Sequence, residues 1–475
     1  MSIAALPPLR LCVLLVAVLG TLSGTAAGAK GRPNVLFIAI DDLRNDLGCL
    51  GAAHAKTPHL DTLAAEGRLF SHHYVQVPTC GASRYALIRG RYPVRPVHVG
   101  NNAILATHRE WGDESLPAWF RRHGYRTLAL GKVTHYPGGL TGKDWAEGPE
   151  ELPGAWDRCW IPESPWKTAE AMMHGYANGV PRRRGESPPW EAFDGPDTAY
   201  PDAYVAAEAV SMLRELAASP EPWFFAVGFF KPHLPFAAPK RWFDLHDPDA
   251  IPPPANPARP PEPSGWHRSG EFRNNYGHAG RDPEDDPEYA ALLRHAYAAS
   301  VSYVDAQVGR VLDAFRELEL MENTVLVVWS DHGFLLGDHA IWGKHCLYEH
   351  ALRCPLIVRT PGMEAPGVTS AAIVETVDIF PTLADLCGIP SPAGLDGRSL
   401  RPQLDDPAAG SAKPARGWWG EQRTLRTDRW RLIHHPARGS SPEGVELFDL
   451  VNDPHETCNL AAEHPGVVRR LMTEH

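Results

Sequence analysis

The sequence predicts an α/β fold, a mostly parallel sheet with helices on both faces. Two patterns carry this expectation. Residues 34–40 form an unbroken apolar run behind Asn34 that stops at Asp41-Asp42. A run without polar alternation reads as a strand buried on both faces, as in a parallel sheet. Further short apolar runs then alternate with helix-like stretches, which is the pattern of a sheet covered by helices rather than of a sandwich or a bundle. Ligands in such sheets bind beyond the carboxyl ends of the strands. Asp41-Asp42 and Asp331-His332 both stand at such ends, so four potential ligands share one rim.

The elements follow in chain order. Arg10 precedes an apolar run, 11–19, then small residues, and Ala27-Gly28-Ala29 fits a small-x-small cleavage pattern. This reads as a signal peptide over 1–29, with an uncleaved anchor helix as the alternative. The run is short for a bilayer span, and no later stretch is long and apolar enough. Thr57-Pro58 opens a helix with Leu60, Leu63 and Ala64 inward and Gly67 as its stop. Ser115 caps a second helix, with Leu116, Trp119 and Phe120 inward and Gly124 as its stop. Residues 127–130 are a strand. Helix 202–217 leads to strand 223–229, and helix 287–318 to strand 324–330. Residues 356–359 are a further strand and 378–387 a further helix. After Gln403 the composition shifts to Pro, Ala and Gly. Residues 424–434 and 446–450 then read as short strands, and His464 to Met472 as a helix. The expected division is therefore 1–29, a main domain over 30–410, and a small C-terminal α+β subdomain with antiparallel strands over 411–475.

Two stretches break the alternation. Residues 138–197 are rich in Trp, Pro and Gly with little periodicity, and 251–265 form a proline-rich, rigid surface loop. Long irregular insertions often line a substrate cleft, or else merely decorate the surface.

The bulk numbers exclude some classes. With 475 residues, 43% hydrophobic and 22% charged, the chain has the composition of a soluble globular protein. A net charge of −11 argues against nucleic acid as the main partner, although a local basic pocket can sit on an acidic protein. Eight cysteines are present. Cys12 leaves with the signal and Cys80 is assigned to chemistry below. The other six allow fifteen full pairings, among which sequence cannot choose. No C-x-x-C pair suggests zinc.

The segment that carries chemistry is Cys80-Gly81-Ala82-Ser83-Arg84, continuing to Gly90-Arg91. Taken alone it could be a structural turn. It resembles the sulfatase signature, Cys-x-Pro-Ser-Arg followed by Gly-Arg, whose cysteine is oxidised to formylglycine by a separate maturation enzyme. Further motifs stand in the family's order. They are Asp41-Asp42-Leu43-Arg44, Gly131-Lys132-Val133-x-His135, Lys231-Pro232-His233-x-Pro235-Phe236 and Ser302-Tyr303-x-Asp305, then Ser330-Asp331-His332-Gly333, Leu336-Gly337-x-His339 and Trp342-Gly343-Lys344. Glu446-Leu-Phe-Asp-Leu450, Asp453-Pro454 and Asn459-Leu460-Ala461 resemble the C-terminal piece. The set is most similar to the iduronate-2-sulfatase branch and covers nearly the whole mature chain.

The resemblance implies an alkaline-phosphatase-like fold, a large mixed and mostly parallel sheet with a small C-terminal antiparallel sheet. It implies one divalent cation, calcium or else magnesium, held by Asp41, Asp42, Asp331, His332 and matured Cys80. Physical chemistry agrees. Three carboxylates suit a hard cation, and adjacent acids at a buried strand end repel one another without one. A solvated turn is the bland reading of Asp41-Asp42. His332 is the odd ligand, and it too is implied by the branch. Hydrated formylglycine would attack sulfur with one hydroxyl and expel sulfate with the other, which a simple alcohol cannot do. By the same match Arg84 orients this group and helps neutralise the carboxylates, and Lys132 and Lys344 hold sulfate oxygens. His135 would assist removal of a proton from the second hydroxyl, and His233 would serve the leaving oxygen. His339 and Lys231 are read as supporting residues behind them. The chain has 23 histidines, so the motif match, not composition, carries these choices.

Two positions depart from the pattern. Ala82 replaces the usual proline, which leaves the route of maturation open. Arg89 replaces a small hydroxyl residue before Gly90-Arg91, either as a cation near the pocket or as a surface residue. The expected function is hydrolysis of a sulfate ester on a carbohydrate, such as a 2-O-sulfated uronate, by a secreted or periplasmic enzyme with no nucleic-acid partner and no membrane attachment after signal cleavage. The alternatives are a phosphomonoester or phosphonate hydrolase of the same superfamily, and a non-catalytic sulfated-glycan-binding protein if Cys80 is not matured.

Overall fold

The computed structural model describes residues 1–2, 31–111, 114–141, 148–260, 270–439 and 442–474. The signal-peptide reading of 1–29 falls almost wholly outside them. Within Arg32–His475 an eight-stranded sheet runs in the order Ser370–Glu375, Arg68–Tyr74, Leu356–Arg359, Thr324–Ser330, Asn34–Asp41, Trp223–Pro232, Arg126–Gly131, Arg158–Trp160. Leu356–Arg359 is antiparallel to both its neighbours and every other pairing is parallel, so one strand opposes seven. This is the mixed, mostly parallel sheet that the sequence predicts.

The unbroken apolar run at 34–40 has a simple physical reason. Leu36, Ile38 and Ile40 face one core, with the helices Pro201–Ala217 and Pro287–Glu317. Val35, Phe37 and Ala39 face the other, with Leu116–Arg122 and Ile379–Leu386. Alternate residues point to opposite faces, and both faces are sealed. The 31-residue helix Pro287–Glu317 begins where Asp286 accepts a hydrogen bond from the Tyr289 amide at 2.9 Å, with proline at its first position; a proline there loses no intrahelical bond. Ser115 caps its helix through the Ala118 amide, while Trp119, expected inward, is only half buried.

Three points of local structure go beyond or against the sequence reading. Cys80–Arg89 is a helix rather than a turn, and all ten of its residues are buried. Gly81 is required there, because a Cβ at that position would lie 2.1 Å from the Asn101 carbonyl oxygen. Residues 424–434 are two strands, Gln422–Arg426 and Trp430–His435, because the Thr427 amide donates to the Trp430 carbonyl (2.8 Å) and turns the chain. With Ala415–Trp419 and Gly444–Asp449 they form a four-stranded antiparallel sheet. Finally, the seven described cysteines are free thiols, so none of the possible pairings is made.

A buried ionic network fastens this small sheet to the main one. Arg431 pairs with Glu349 and, at 2.8 Å, with Glu456. Tyr74 donates to Glu349 at 2.7 Å, and the Glu349 amide donates to Glu456 at 2.8 Å. Removing one partner leaves a buried, uncompensated charge, which costs about 3–5 kcal/mol. Glu349→Ala should therefore lower the unfolding free energy by about that amount, read as a fall in thermal midpoint; an unchanged midpoint would show that the network adds nothing to stability.

Candidate active site

The site is assembled at the carboxyl ends of four adjacent parallel strands. Asp41 closes Asn34–Asp41 and Asp331 follows Thr324–Ser330, and the register pairs Ile40 with Ser330, so the two acids leave the sheet side by side. Lys132 follows Arg126–Gly131, and His233 follows Trp223–Pro232. Cys80 enters from the start of its helix and is 2% exposed. Asp42 takes a left-handed backbone (φ 61°), which Asp tolerates better than most residues. It is held there because the Tyr297 hydroxyl donates to the Asp42 carbonyl (2.7 Å) and accepts from the Arg44 amide (2.9 Å).

Ligand atoms of Asp41, Cys80, Asp331 and His332 all lie within 4.8 Å of one another, as do those of Asp41, Asp42, Cys80 and His233. Arg84 lies beneath the acids. Its Nε donates to Asp331 (3.0 Å), its Nη2 to Asp41 (3.1 Å) and its Nη1 to the carbonyl oxygens of Lys132 and, at 2.9 Å, Val133. Lys132 donates to Asp41 and lies 3.7 Å from the Cys80 Sγ. Lys344 donates to both Asp42 oxygens (2.9 and 3.1 Å) and lies 3.5 Å from the same sulfur. Two lysines, one anchored on Asp41 and one on Asp42, thus lie against residue 80.

The electrostatics follow from burial and pairing. Burial alone would raise Asp41, but Lys132, His233 and Arg84 hold it well below the usual carboxylate range. For Asp42 burial prevails over Lys344 and His233 and pushes it up to about 6. Burial disfavours the charged ammonium of Lys132, yet Asp41 keeps its pKa above the ordinary lysine value. Burial opposes the charged form of His332, but Asp331 and Asp42 push it up to about 9. Its Nδ1 lies 3.1 Å from the Gly333 carbonyl, which assigns the proton to Nδ1 and aims Nε2 at the Cys80 Sγ, 3.3 Å away. A carboxylate field that stabilises a proton on Nε2 also stabilises a cation there. Three buried carboxylates and one oriented imidazole therefore fit a divalent metal by donor chemistry.

The remaining expected residues separate. His233 faces the cleft, with Nδ1 2.8 Å from the Leu234 carbonyl and Nε2 3.4 Å from Glu271. Lys231 lies behind it, donating to the carbonyls of His233 (3.2 Å) and Pro235 (2.6 Å). His135 lines the cleft but makes no hydrogen bond to Cys80; its Nδ1 is buried without a partner among the described residues, and burial pushes its pKa down to about 4. His339 is away from this centre, stacked on Tyr348 at 3.8 Å and 3.9 Å from Glu456, at the junction with the small sheet. Arg89 is neither in the cleft nor on the surface. It is 4% exposed and packs over Trp111, 4.5 Å from the ring centroid.

A cleft of about 620 Å³ opens onto Cys80, His233 and Lys344. Sequence reasoning missed several of its residues. Glu271 lies 3.2 Å from Lys344 as well as close to His233, and His174, Arg182 and His345 line the walls. Glu271 arrives on a six-residue helix, Gly270–Asn275, and Arg182 on the irregular stretch 138–197, so neither carried a periodic signal. The expectation that this stretch borders the cleft matches the positions of Glu170, His174 and Arg182.

Comparison with known proteins gives the following similarities. The sulfatase family model matches residues 33–389, and the model of the N-sulphoglucosamine sulphohydrolase C-terminal region matches 337–473. Iduronate 2-sulfatase of Mus musculus is 32% identical over 397 residues, which is 76% of this chain and 69% of that protein. A sulfatase of Formosa agariphila is 30% identical, covering 90% of this chain and 83% of its own. Among solved structures, the phosphonate monoester hydrolase of Agrobacterium radiobacter superposes with a TM-score of 0.74 at 24% identity, over 93% of this chain and 94% of that one. At that identity the likeness establishes the alkaline-phosphatase-like fold alone.

Proposed function

The chain belongs to the sulfatase family and hydrolyses sulfate esters, and from that premise we propose that its substrate is a sulfated carbohydrate, with Cys80 matured to formylglycine as the nucleophile. The observation that carries this reading is the convergence of Asp41, Asp331, His332, Lys132 and Lys344 on the side chain of residue 80. Asp41, Asp42, Asp331, His332 and matured residue 80 would hold one divalent cation, for which we propose calcium. When bound, that ion supplies positive charge opposite the sulfate and lowers the pKa of the nucleophile.

The chain's own residues do the rest. Lys132 and Lys344 both reach residue 80 and neutralise sulfate oxygens as charge builds on them. Arg84 spans Asp41 and Asp331 and fixes the spacing of the acids. His233 presents Nε2 to the cleft, with Nδ1 tied to a carbonyl, and serves as the atom through which a proton reaches the leaving oxygen. Burial holds His233 below the ordinary histidine value against Asp42, and an arriving sulfate adds the negative charge that favours its protonated form. His135, without a hydrogen bond to Cys80, would act on a proton released at residue 80. Burial of Cys80 in a cation-lined corner that meets the cleft at one end limits the access of bulky stray nucleophiles to its matured form while leaving it open to substrate.

Similarity to iduronate 2-sulfatase and the basic, polar cleft support a sulfated uronate or related acidic sugar. Export through a cleaved leader at 1–29, a main domain ending at 410, and service by a maturation enzyme belong to the same proposal. No helix among the described residues is long and apolar enough to cross a membrane. The second reading is that a phosphorus ester is cut on the same fold, which the phosphonate hydrolase neighbour shares. The ligand clusters share Asp41 and Cys80 and make one centre, not two, among the described residues. Turnover of the sulfate and phosphate esters of one alcohol separates the readings. The decisive test is the mass of the peptide spanning Cys80 from protein made in its native host. The expected mass is that of the aldehyde or its hydrate; a full complement of unmodified thiol in folded protein would rule out the proposed nucleophile.

A further inference from the structure

We propose that Arg182 is the centre of a second anion subsite in the cleft, where it reads an acidic substituent, a carboxylate or a further sulfate, on the sugar whose sulfate ester is cut at residue 80. This rests on the sulfatase reading above.

The Arg182 side chain is 7% exposed, yet its hydrogen-bonding capacity is largely unused. Nη2 donates to Glu170 Oε1 at 3.1 Å, whereas Nε and Nη1 have no partner among the described residues. The Glu170 carboxylate is 71% exposed, so water screens that pair and it contributes little. A buried guanidinium with open donors is unfavourable unless something completes it. Oxygen anions do so best, because the planar guanidinium presents directed N–H groups that a lysine lacks.

Position supplies the second argument. Arg182 lines the same cleft as Cys80, His233 and Lys344, and a continuous wall joins them. The His233 and His174 rings are 5.2 Å apart, His174 Nδ1 is 3.2 Å from the Tyr276 hydroxyl, and the Arg182 guanidinium carbon lies 5.4 Å from the Tyr276 ring centroid. Arg184, on the same wall, donates to Asn275 at 2.8 Å. The other groups do not cancel this charge. Burial, joined by His233 and Arg182, keeps His174 far below the usual histidine range and therefore neutral, and Glu271 is engaged by Lys344 and His233. The far end of the cleft is thus cationic, three side-chain contacts from His233, and separate from the lysines that flank residue 80. A sugar with one sulfate at residue 80 and a second acidic group would meet both ends.

The test compares wild type with Arg182→Ala, Arg182→Gln and Arg182→Lys. The substrates are a 2-O-sulfated hexuronate disaccharide, its methyl ester, a disulfated hexosamine and an aryl sulfate that carries no second anion. Losing a charge-assisted contact should raise KM and lower kcat/KM roughly 10- to 100-fold on the substrate with the recognised second anion. That loss should exceed the loss on the aryl sulfate at least about tenfold, with partial recovery in Arg182→Lys. A wild type that discriminates against the methyl ester identifies a carboxylate; indifference to it, with the loss confined to the disulfated sugar, identifies a sulfate. Equal losses on all substrates, or none, would overturn the proposal. If wild type cuts no sulfate ester, the sulfatase reading has failed on its own account. Calorimetric binding of the same sugars then still decides for Arg182: weaker binding by the variants upholds the subsite, and equal binding overturns it. Thermal midpoints report folding, and the shorter, polar and uncharged Arg182→Gln carries the test should Arg182→Ala not fold.

Discussion

Cys80→Ala is expected to lower kcat/KM on any sulfate ester by on the order of 10⁴-fold or more, the scale at which nucleophile deletions act. The argument is local. The residue 80 side chain is the point on which Lys132, Lys344 and His332 Nε2 converge, at 3.7, 3.5 and 3.3 Å from Sγ. Those groups stay in place when the sulfur is removed, because Lys132 and Lys344 are anchored by Asp41 and Asp42 and His332 by the Gly333 carbonyl. The variant therefore keeps the arrangement of these charged side chains and loses the reacting group, together with the ligand atom that residue 80 would offer the cation. Its thermal midpoint should stay close to wild type, which distinguishes lost chemistry from lost folding. Cys80→Ser is the sharper control. A serine can attack sulfur but cannot expel sulfate by a second hydroxyl, so it should show at most a single turnover, read as a stoichiometric burst of alcohol. Steady turnover at a tenth of the wild-type rate would show, in Cys80→Ala, that residue 80 is not the nucleophile and, in Cys80→Ser, that the second hydroxyl is not needed.

The acids of this site were legible in the sequence because their signal is positional. A fully apolar strand that ends in charged residues leaves them at a sheet rim, and the pairing of Ile40 with Ser330 sets Asp41 beside Asp331. Strands 324–330 and 356–359 were read to the residue for the same reason, an unbroken β-branched and aliphatic run with sharp ends. Arg68–Tyr74 was missed. It carries Ser71, His72 and His73, and polar residues inside a sheet are invisible to a hydrophobicity pattern. They are tolerated because their partners come from distant segments: His73 lies 3.0 Å from the Cys354 carbonyl and 3.0 Å from the Thr376 hydroxyl. The helix Cys80–Arg89 was missed because it is buried on every side and lacks an amphipathic stripe. The far wall of the cleft was illegible for a related reason. Glu271 and Arg182 come from irregular segments, where only the folded chain brings a side chain to its place. Motif resemblance found the residues that converge on residue 80, whereas those on the far wall of the cleft required the structure.

Asp331→Asn should be nearly as damaging as loss of residue 80, with a different signature. Asp331 accepts from Arg84 Nε at 3.0 Å and from the Asp42 amide at 3.1 Å, and it shares Arg84 with Asp41. Replacing it by alanine would strip a fully buried guanidinium of one of its two carboxylates, at a folding cost of about 3–5 kcal/mol, and activity would then fall for two reasons at once. Asparagine keeps the shape and one acceptor oxygen, enough for Arg84 or for the Asp42 amide but not for both, since they use different oxygens of Asp331, and it removes the charge. The cluster then has two carboxylates where a hard dication needs several anionic oxygens. Calorimetric titration of chelator-treated protein should show calcium affinity reduced about 100-fold or more, and kcat reduced on the order of 10³-fold at low calcium. The two should be linked. Raising calcium restores part of the activity of Asp331→Asn and none of that of Cys80→Ala, because one variant has a weakened site and the other an absent nucleophile. Magnesium, which demands tighter octahedral geometry, should restore less than calcium in wild-type protein stripped by chelation. An Asp331→Asn enzyme that turns over at the wild-type rate after exhaustive chelation would separate the acidic rim from catalysis and leave Arg84, Lys132 and Lys344 as its sole electrostatic machinery.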